Sequence, residues 1–567
     1  MINNKRVFFF RKAHKWLALI VGIQAVIWCL SGLYMTAVHI ETVRGNHLVK
    51  DLPLKPLENL LSSDLNLKVN EKYYRFHSLA MVNDEPELTL FSDSQKIKYN
   101  LRSGELARPI SEQDIADKAA KIYVGNGNLQ NIQLLNHYPQ EIGGKNRRVW
   151  RVTYDDFLNS TLYFDFETAE LIRARSDLWR WFDFLWMLHI MDYDAREDVN
   201  NNLLKIAATM GLLLTLCGIG MLFYSFGHRK VKQVTTLSLL KSVHKWLALV
   251  IGLQLVIWTL SGVVFSLLDK EKVSGRYLIN QQDVVRPLLE LDKLKQIQVR
   301  YPAIETVLTH SLLGNPVYQV NINNERIMLD SKSLEPLSLS ESTVKLIATQ
   351  RFRGDGELLQ LSQINVQSTE TRKYQLPLWK ADFNDAESTS LYIDAKTGNV
   401  MGAKTDTWRL FDFFWMLHIM DYGERNDFNH ALIIFAAAIS CFIALSGLLM
   451  LFSAFKWSDF SLWTRYRTKR INLNSREGEL VTIQANKFMR LLDLFNQKNI
   501  AVRSSCGGGG SCGLCRIKVI GNCDVSPADR QFFTETELQQ GYRLACQVEL
   551  CESISLELPA RYFEQLK

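Results

Sequence analysis

Residues 16–40, 206–227, 246–268 and 431–455 contain no Asp, Glu, Lys or Arg. Each stretch exceeds the ~20 residues that a helix needs to cross the hydrocarbon core of a bilayer. No other feature of the chain restricts its fold so strongly, because apolar segments of that length need lipid or a large interior around them. The mean hydropathy of −0.06 hides them, since polar segments of comparable weight lie between. The first stretch is long for the apolar part of a signal peptide and is not followed by a small-residue cleavage site. A close copy of it lies inside the chain, so it reads as a retained membrane helix.

Lys and Arg near the stretch ends set the expected orientation. Lys5, Arg6, Arg11, Lys12 and Lys15 precede the first; Arg229, Lys230, Lys232, Lys241 and Lys245 lie between the second and third; Lys456, Arg465, Arg467, Lys469 and Arg470 follow the fourth. These three regions are expected in the cytoplasm, and the long connections 41–205 and 269–430 outside. The formal charge of +7 is then largely juxtamembrane and calls for no nucleic-acid partner.

The chain repeats itself. "HKWLALIVGIQAVIWCLSG" from His14 returns as "HKWLALVIGLQLVIWTLSG" from His244. "WFDFLWMLHIMDY" from Trp181 returns as "LFDFFWMLHIMDY" from Leu410, at nearly the same spacing. Each copy reads as a helix, an external segment, an aromatic-rich segment and a second helix. Two spans per copy give both copies one orientation, as in parallel repeats about an axis along the membrane normal. In the external segments, "RRVWRVTYDD" and "STLYFDFETAEL" read as strands, and "ISEQDIADKAAKIY" as a helix capped by serine. Each segment is therefore expected to be a small α+β domain, without a concentrated catalytic cluster.

Of eleven histidines, four occur as matched pairs: His14 with His244, and His189 with His418. Histidine in or beside a membrane span is costly without a partner or ligand. His14 is expected just before the first span, near the cytoplasmic face, and His189 near the outer face. A span of that length separates the faces by roughly 35 Å, so these two residues cannot ligate one metal. The expected partners come from opposite copies: His14 with His244, and His189 with His418. Imidazoles in apolar, Trp-rich surroundings suit b-type haem, and covalent attachment is not expected because C-x-x-C-H does not occur. His39, His228 and His430 also lie near span ends; His430 aligns with Asn201 and is kept only as a reserve ligand.

The duplicated "HKWLAL…SG" helices, the "LHIMDY" segments and the "LYIDAKTGNV" strand-turn resemble the PepSY-associated transmembrane family, over about residues 8–455. Its members include inner-membrane iron and siderophore reductases. The resemblance implies haem b on His14, His189, His244 and His418, periplasmic PepSY-like domains, and a ferric iron or ferric siderophore acceptor.

The nine cysteines are segregated. Cys29, Cys217 and Cys441 lie in the apolar stretches and read as packing residues; the external segments have none, and the other six crowd the end of the chain. There "SSCGGGGSCGLCRIKV" places Cys506, Cys512 and Cys515 with gaps of five and two residues. Disulfides are disfavoured on a cytoplasmic domain. Structural zinc prefers two close cysteine pairs, and only one is present here. A [2Fe–2S] cluster takes three thiolates from one loop and one from afar; the first gap is one residue longer than in plant-type ferredoxins. A cluster loop needs backbone conformations that glycine reaches without a Cβ clash, so the glycines are expected to be ordered. Around them "RINLN" and "GELVTIQ" read as strands, "NKFMRLLDLFNQKN" as a helix, and "TETELQQG" as a helix with Thr534 and Glu537 as capping box and Gly541 at its end.

"CGGGGSCGLC" with the downstream "RLACQ" resembles the ferredoxin domain of the F subunit of Na+-translocating NADH:quinone reductases, over about residues 471–560. The resemblance gives Cys506, Cys512, Cys515 and Cys546 the ligand roles and leaves Cys523 and Cys551 spare. That subunit continues into a flavin and nicotinamide domain, whereas this sequence stops at Lys567, so it is not expected to take hydride from NADH unaided.

The expected fold is a multi-domain membrane protein: a four-helix transmembrane bundle from two parallel repeats, two α+β PepSY-like periplasmic domains and a C-terminal β-grasp ferredoxin domain. The expected boundaries are 1–40 and 41–177 for the first helix and external domain, and 178–227 for the aromatic segment and second helix. They continue with 228–268 for the loop and third helix, 269–406 for the second external domain, 407–455 for the second aromatic segment and fourth helix, 456–470 for a basic linker, and 471–567 for the ferredoxin domain. The expected function is one-electron transfer across the bacterial inner membrane through a [2Fe–2S] cluster and two b-type haems. A cytoplasmic flavoprotein reductase or ferredoxin would be the donor and a periplasmic ferric chelate the acceptor. A quinone-linked respiratory component and a redox-sensing PepSY binding protein are the alternatives.

Overall fold

A computed structural model describes the chain except residues 1–3, 54, 58–73, 93–94, 224–235, 282–284, 324, 456–459, 461–467, 475–479, 487–488, 499, 501, 503, 505–507, 511, 521–522, 551–554 and 557–567. In chain order the main elements are α1 (Asn4–Ala37), β1 (Arg75–Val82), β2 (Glu85–Ser92), β3 (Gln95–Asn100), α2 (Glu112–Ile122), β4 (Leu129–Leu135), β5 (Val149–Tyr154), β6 (Thr161–Asp165), β7 (Leu171–Arg175), α3 (Asp177–Ile190), α4 (Asn202–Leu222), α5 (Thr236–Leu267), α6 (Leu291–Arg300), β8 (Ile304–Leu312), β9 (Asn315–Ile322), β10 (Glu325–Asp330), α7 (Glu341–Arg351), β11 (Leu358–Ile364), β12 (Leu378–Phe383), β13 (Ser390–Asp394), β14 (Val400–Lys404), α8 (Asp406–Ile419), α9 (Ala431–Ala454), β15 (Thr468–Asn474), β16 (Leu480–Asn486), α10 (Leu491–Gln497), β17 (Arg516–Ile520), α11 (Pro527–Phe532), α12 (Glu535–Gln539), β18 (Tyr542–Leu544) and β19 (Ser555–Leu556). They form two units, one of residues 1–37, 187–267 and 430–567, the other of residues 38–186 and 268–429.

The first unit holds the four apolar helices, each long and apolar enough to cross a membrane. α1 packs on α4 and α9, and α5 packs on the same two, closing a four-helix ring. α1 and α5 start well before their uncharged stretches, so basic residues that precede those stretches are themselves helical. His14 therefore lies inside the span Phe8–Ala37 rather than before it. The starts of α4 and α9 explain an oddity of the repeat. Asn201 caps α4 by accepting from Leu204 N at 2.8 Å, and His430 caps α9 by accepting from Ile433 N at 3.4 Å. Both satisfy an amide that the first helical turn leaves open, so the alignment of His430 with Asn201 is a shared capping position.

The C-terminal part of this unit pairs β15 with β16, and β17 with β18 and β19. Its core gathers Leu491, Leu494 and Phe495 of α10, Ile517 and Val519 of β17, Phe532, Leu544, Cys515 and Cys546. α10 begins only at Leu491, shorter than "NKFMRLLDLFNQKN" suggests, because Arg490 bridges to Glu549 instead. Thr534 and Glu537 make the expected capping box of α12, and Gly541 follows in a left-handed conformation with φ 88°.

The second unit contains two four-stranded sheets of like order, β4-β5-β6-β7 and β11-β12-β13-β14. A helix lies on each. Ile115, Ala119 and Ile122 of α2 bury against Val152, Leu162 and Phe164, and Val344, Ile347 and Ala348 of α7 against Ala381, Leu391 and Ile393. Ser111 starts α2 with a capping box to Asp114. The remaining strands join the two segments. β1 pairs antiparallel with β8 through Ser78–Leu308, Leu79–Val307 and Ala80–Thr306, giving one six-stranded sheet, β10-β9-β8-β1-β2-β3. Its core draws on both segments: Phe76, Leu79, Leu88 and Leu90 with Leu294, Ile297, Val307 and Tyr318.

Candidate functional site

Several glycines of the cysteine-rich stretch have close surroundings. Gly508, Gly510 and Gly513 have φ of 97°, 68° and 65°, the left-handed region that favours glycine. A Cβ on Gly510 would lie 2.9 Å from both Ala528 Cβ and Gln547 Nε2, and one on Gly513 would overlap the Phe532 ring. One on Gly508 would lie 3.7 Å from Cys546 Cβ, so the turn rests beside a cysteine that is distant along the chain. This is a cradle that side chains would fill.

Cys512, Cys515 and Cys546 are all buried. Backbone bonds position the distant one. β17 pairs with β18, Ala545 N donates to Cys515 O at 2.8 Å, and the first amides of α10, on Leu491 and Leu492, donate to Val548 O and Ala545 O at 2.9 and 3.0 Å. Asp529 Oδ1, itself buried, accepts from Leu544 N at 2.7 Å. Gln547 Nε2 donates to Cys546 Sγ at 3.3 Å. The sequence reading gave Gln547 no role; its place next to Cys546 was the available signal, because hydrogen bonds to sulfur tune cluster potentials. Cys506 and Cys551 lie outside the described residues. Among the described residues no three His, Cys, Asp or Glu side chains gather as a metal site. Cys523 packs on the same core and its carbonyl accepts from Arg543 Nη2 at 3.0 Å. The fit to a cluster therefore rests on three buried cysteines and the glycine cradle.

The histidines show a second pattern. His14 Nδ1 donates to Leu214 O of α4 at 3.0 Å. His244 Nδ1 lies 2.8 Å from Ser446 Oγ of α9, and His189 Nδ1 lies 2.8 Å from Ser31 Oγ of α1. Each serine hydroxyl also lies within hydrogen-bond distance of a carbonyl of its own helix, Ser446 of Ile443 O at 2.9 Å and Ser31 of Trp28 O at 3.1 Å. A proton on Nδ1 satisfies all three contacts, and that tautomer ligates a metal through Nε2. Matched glycines make room for His14 and His244: a Cβ on Gly218 would lie 3.3 Å from His14 Cε1, and one on Gly447 3.3 Å from His244 Cε1. Cys217, read from sequence as a packing residue, occupies the position matched to Ser446.

His189 is held at the end of α3. The last carbonyls of that helix, Leu188 O, His189 O and Ile190 O, accept from Gln24 Nε2, Trp28 Nε1 and Asn201 Nδ2 at 3.0, 2.8 and 3.0 Å. Left-handed Met191, φ 55°, then ends it. Along α1, His14 and the Ser31 that binds His189 are separated by about 25 Å at helical rise. The two imidazoles therefore sit at different depths, closer than a full span but too far apart to share a ligand. His418 lies at the end of α8, in the other unit, and left-handed Met420, φ 57°, follows it as Met191 follows His189.

Comparison with known proteins agrees with this division. Residues 474–551 match the 2Fe-2S iron-sulfur cluster binding domain, and residues 11–280 match the PepSY-associated TM region. The chain joins a PepSY-associated membrane region to a 2Fe–2S ferredoxin domain. The F subunit of the Na(+)-translocating NADH-quinone reductase of Histophilus somni is 39% identical over 94 residues, which are 16% of this chain and 23% of that protein. Its Actinobacillus succinogenes counterpart is 38% identical over 94 residues, 16% of this chain and 22% of its own. The Yersinia pestis counterpart is 36% identical over 94 residues, again 16% of this chain and 23% of its own. The chain spans less than a quarter of the length of these curated relatives. What it shares with them is the cluster domain, here attached to apolar helices, which makes it a redox protein of a membrane.

Proposed function

We propose that this protein passes single electrons outward across the bacterial inner membrane. Its redox centres are a [2Fe–2S] cluster on Cys506, Cys512, Cys515 and Cys546 and two b-type haems, one on His14 and His244, the other on His189 and His418. When bound, these groups supply reversible one-electron chemistry that amino-acid side chains lack. The chain's own residues hold and shield them. Leu214, Ser446 and Ser31 hold Nδ1 of three histidines, and Gly218 and Gly447 give two of them space.

The observation that carries this reading is the set of half-buried imidazoles at two depths of one helix ring, each with Nδ1 held against an oxygen of a neighbouring helix, next to a cluster domain in the same unit. The repeat supports pairing of ligands from opposite copies about an axis along the membrane normal. The basic residues flanking the helices support cytoplasmic termini, with the external segments as periplasmic PepSY-like domains and the cluster domain, a β-grasp fold, inside. Movement of one electron outward is then helped by about 2.3 kcal/mol per 100 mV of inside-negative potential. A cytoplasmic flavoprotein reductase or ferredoxin is the donor, and ferric iron or a ferric siderophore the acceptor.

Replacing His189 by Ala is expected to halve the haem absorbance of the purified protein, abolish reduction of external ferric chelates and leave the cluster's EPR signal intact. Retention of both haems would refute the pairing. Turnover with quinol but not with ferric chelates would redirect the reading to the quinone pool.

A further inference from the structure

The cluster domain and the helix ring meet at the glycine turn. Lys241 Nζ, on α5, donates to Gly509 O at 3.4 Å. Arg11, on α1, lies along the same turn: a Cβ on Gly508 would sit 3.1 Å from Arg11 Nη1, and one on Gly509 3.0 Å from Arg11 Cζ and Nη2. The guanidinium therefore lies against bare backbone, in space that any side chain on the turn would take. Arg11 and Lys241 are matched positions of the repeat, with the same offset as His14 and His244. Each basic residue precedes its histidine by three positions. That spacing puts both on one helix face, about 4.5 Å apart along the axis. Two symmetry-matched cations on two helices thus converge on one asymmetric object, the turn that also touches Cys546.

We propose that Arg11 and Lys241 are positioning residues that clamp the Gly508–Gly509 turn onto the inner end of the helix ring, one helical turn from His14 and His244. The clamp holds the cluster loop where an electron has its shortest route to the inner histidine pair. Cations there also offset the negative charge of a thiolate-ligated cluster as it approaches the membrane face. A glycine turn is required because the guanidinium stacks where a Cβ would be. The repeat itself has two equivalent basic residues, and the single cluster domain uses both.

This inference rests on the function proposed above, but its exchange measurement does not need a haem. Backbone amide exchange over residues 508–510 is measured by mass spectrometry on the full-length, cluster-loaded protein in detergent. Arg11→Gln and Lys241→Gln are each expected to speed exchange there by about tenfold, the loss of one charged contact with the turn, with cluster absorbance and iron content unchanged. Lys241→Arg keeps charge and reach and should exchange at the parental rate; Lys12→Gln, an exposed neighbour, should as well. In the same Gln variants at 11 and 241, reoxidation of the dithionite-reduced cluster by added ferric chelate, which takes the electron, should slow while its reduction by dithionite does not. Parental exchange in both of these variants, or equal speeding in Lys241→Arg and Lys241→Gln, would overturn the clamp. A protein without haem would refute the function above and leave the exchange result standing.

Discussion

Gly513 shows how much one residue can carry. Its φ of 65° and its contact with the Phe532 ring leave no place for a β-branched side chain. Gly513→Val should cost more than ~2 kcal/mol through strain and overpacking. It should lower both iron content and the melting temperature of the cluster domain; unchanged iron binding would count against the cradle. Lys404 is a second single-residue case. Burial is the main cause that lowers its ammonium to about 8, while its Nζ stays 3.9 Å over the Trp408 ring. The unfolded chain keeps that proton up to about 10.4, so stability should rise between about pH 8 and 10.5 as the folded state is relieved of a penalised charge. Lys404→Met should stabilise the second unit at pH 7, and the gain should vanish near pH 10.5; a gain independent of pH would rule out the charge as its cause.

Among elements, α8 is tied down by a buried charge. Asp412 is 2% exposed and accepts from Arg372 Nη2 at 2.7 Å and Arg425 Nη1 at 2.5 Å. Arg409 of the same helix bonds Glu370 at 2.9 Å, and Glu370 accepts from Tyr392 OH at 2.5 Å. In the first copy Arg180 of α3 bonds Glu141 at 3.1 Å, and Tyr163 OH donates to Glu141. These links fasten each aromatic helix to its sheet. Asp412→Ala removes the acceptor of two arginines and should cost about 3–5 kcal/mol, read as a lower unfolding midpoint of the second unit. A change below ~1 kcal/mol would show that water replaces the carboxylate. The position matched to Arg372 is Gly143, so the copies differ beside the segments where their sequences look most alike.

At the scale of the molecule, the six-stranded sheet makes the two long connecting segments depend on each other. Leu79, 4% exposed, faces Val307 across the junction of β1 and β8. Leu79→Asp puts a carboxylate into a core shared by both segments and should cost at least ~3 kcal/mol. Limited proteolysis should then cut within both 75–100 and 304–330. Cleavage confined to the first segment would mean that the two unfold separately.

What the sequence determined by itself was local in origin. Length and apolarity defined the four long apolar helices, cysteine spacing and glycine content defined the cluster loop, and the caps of α2 and α12 could be read from single serine and threonine positions. These features depend on residues within a few turns of one another, where period and spacing carry the information. The duplication was legible too, and with it the candidate histidines. Their partners were not: Leu214, Ser31 and Ser446 lie between 158 and 202 residues away along the chain. The shared sheet and the grip of Arg11 and Lys241 on one glycine turn were equally hidden. Such contacts are decided by how packed helices and paired strands bring distant backbone together, and only the tertiary structure contains that.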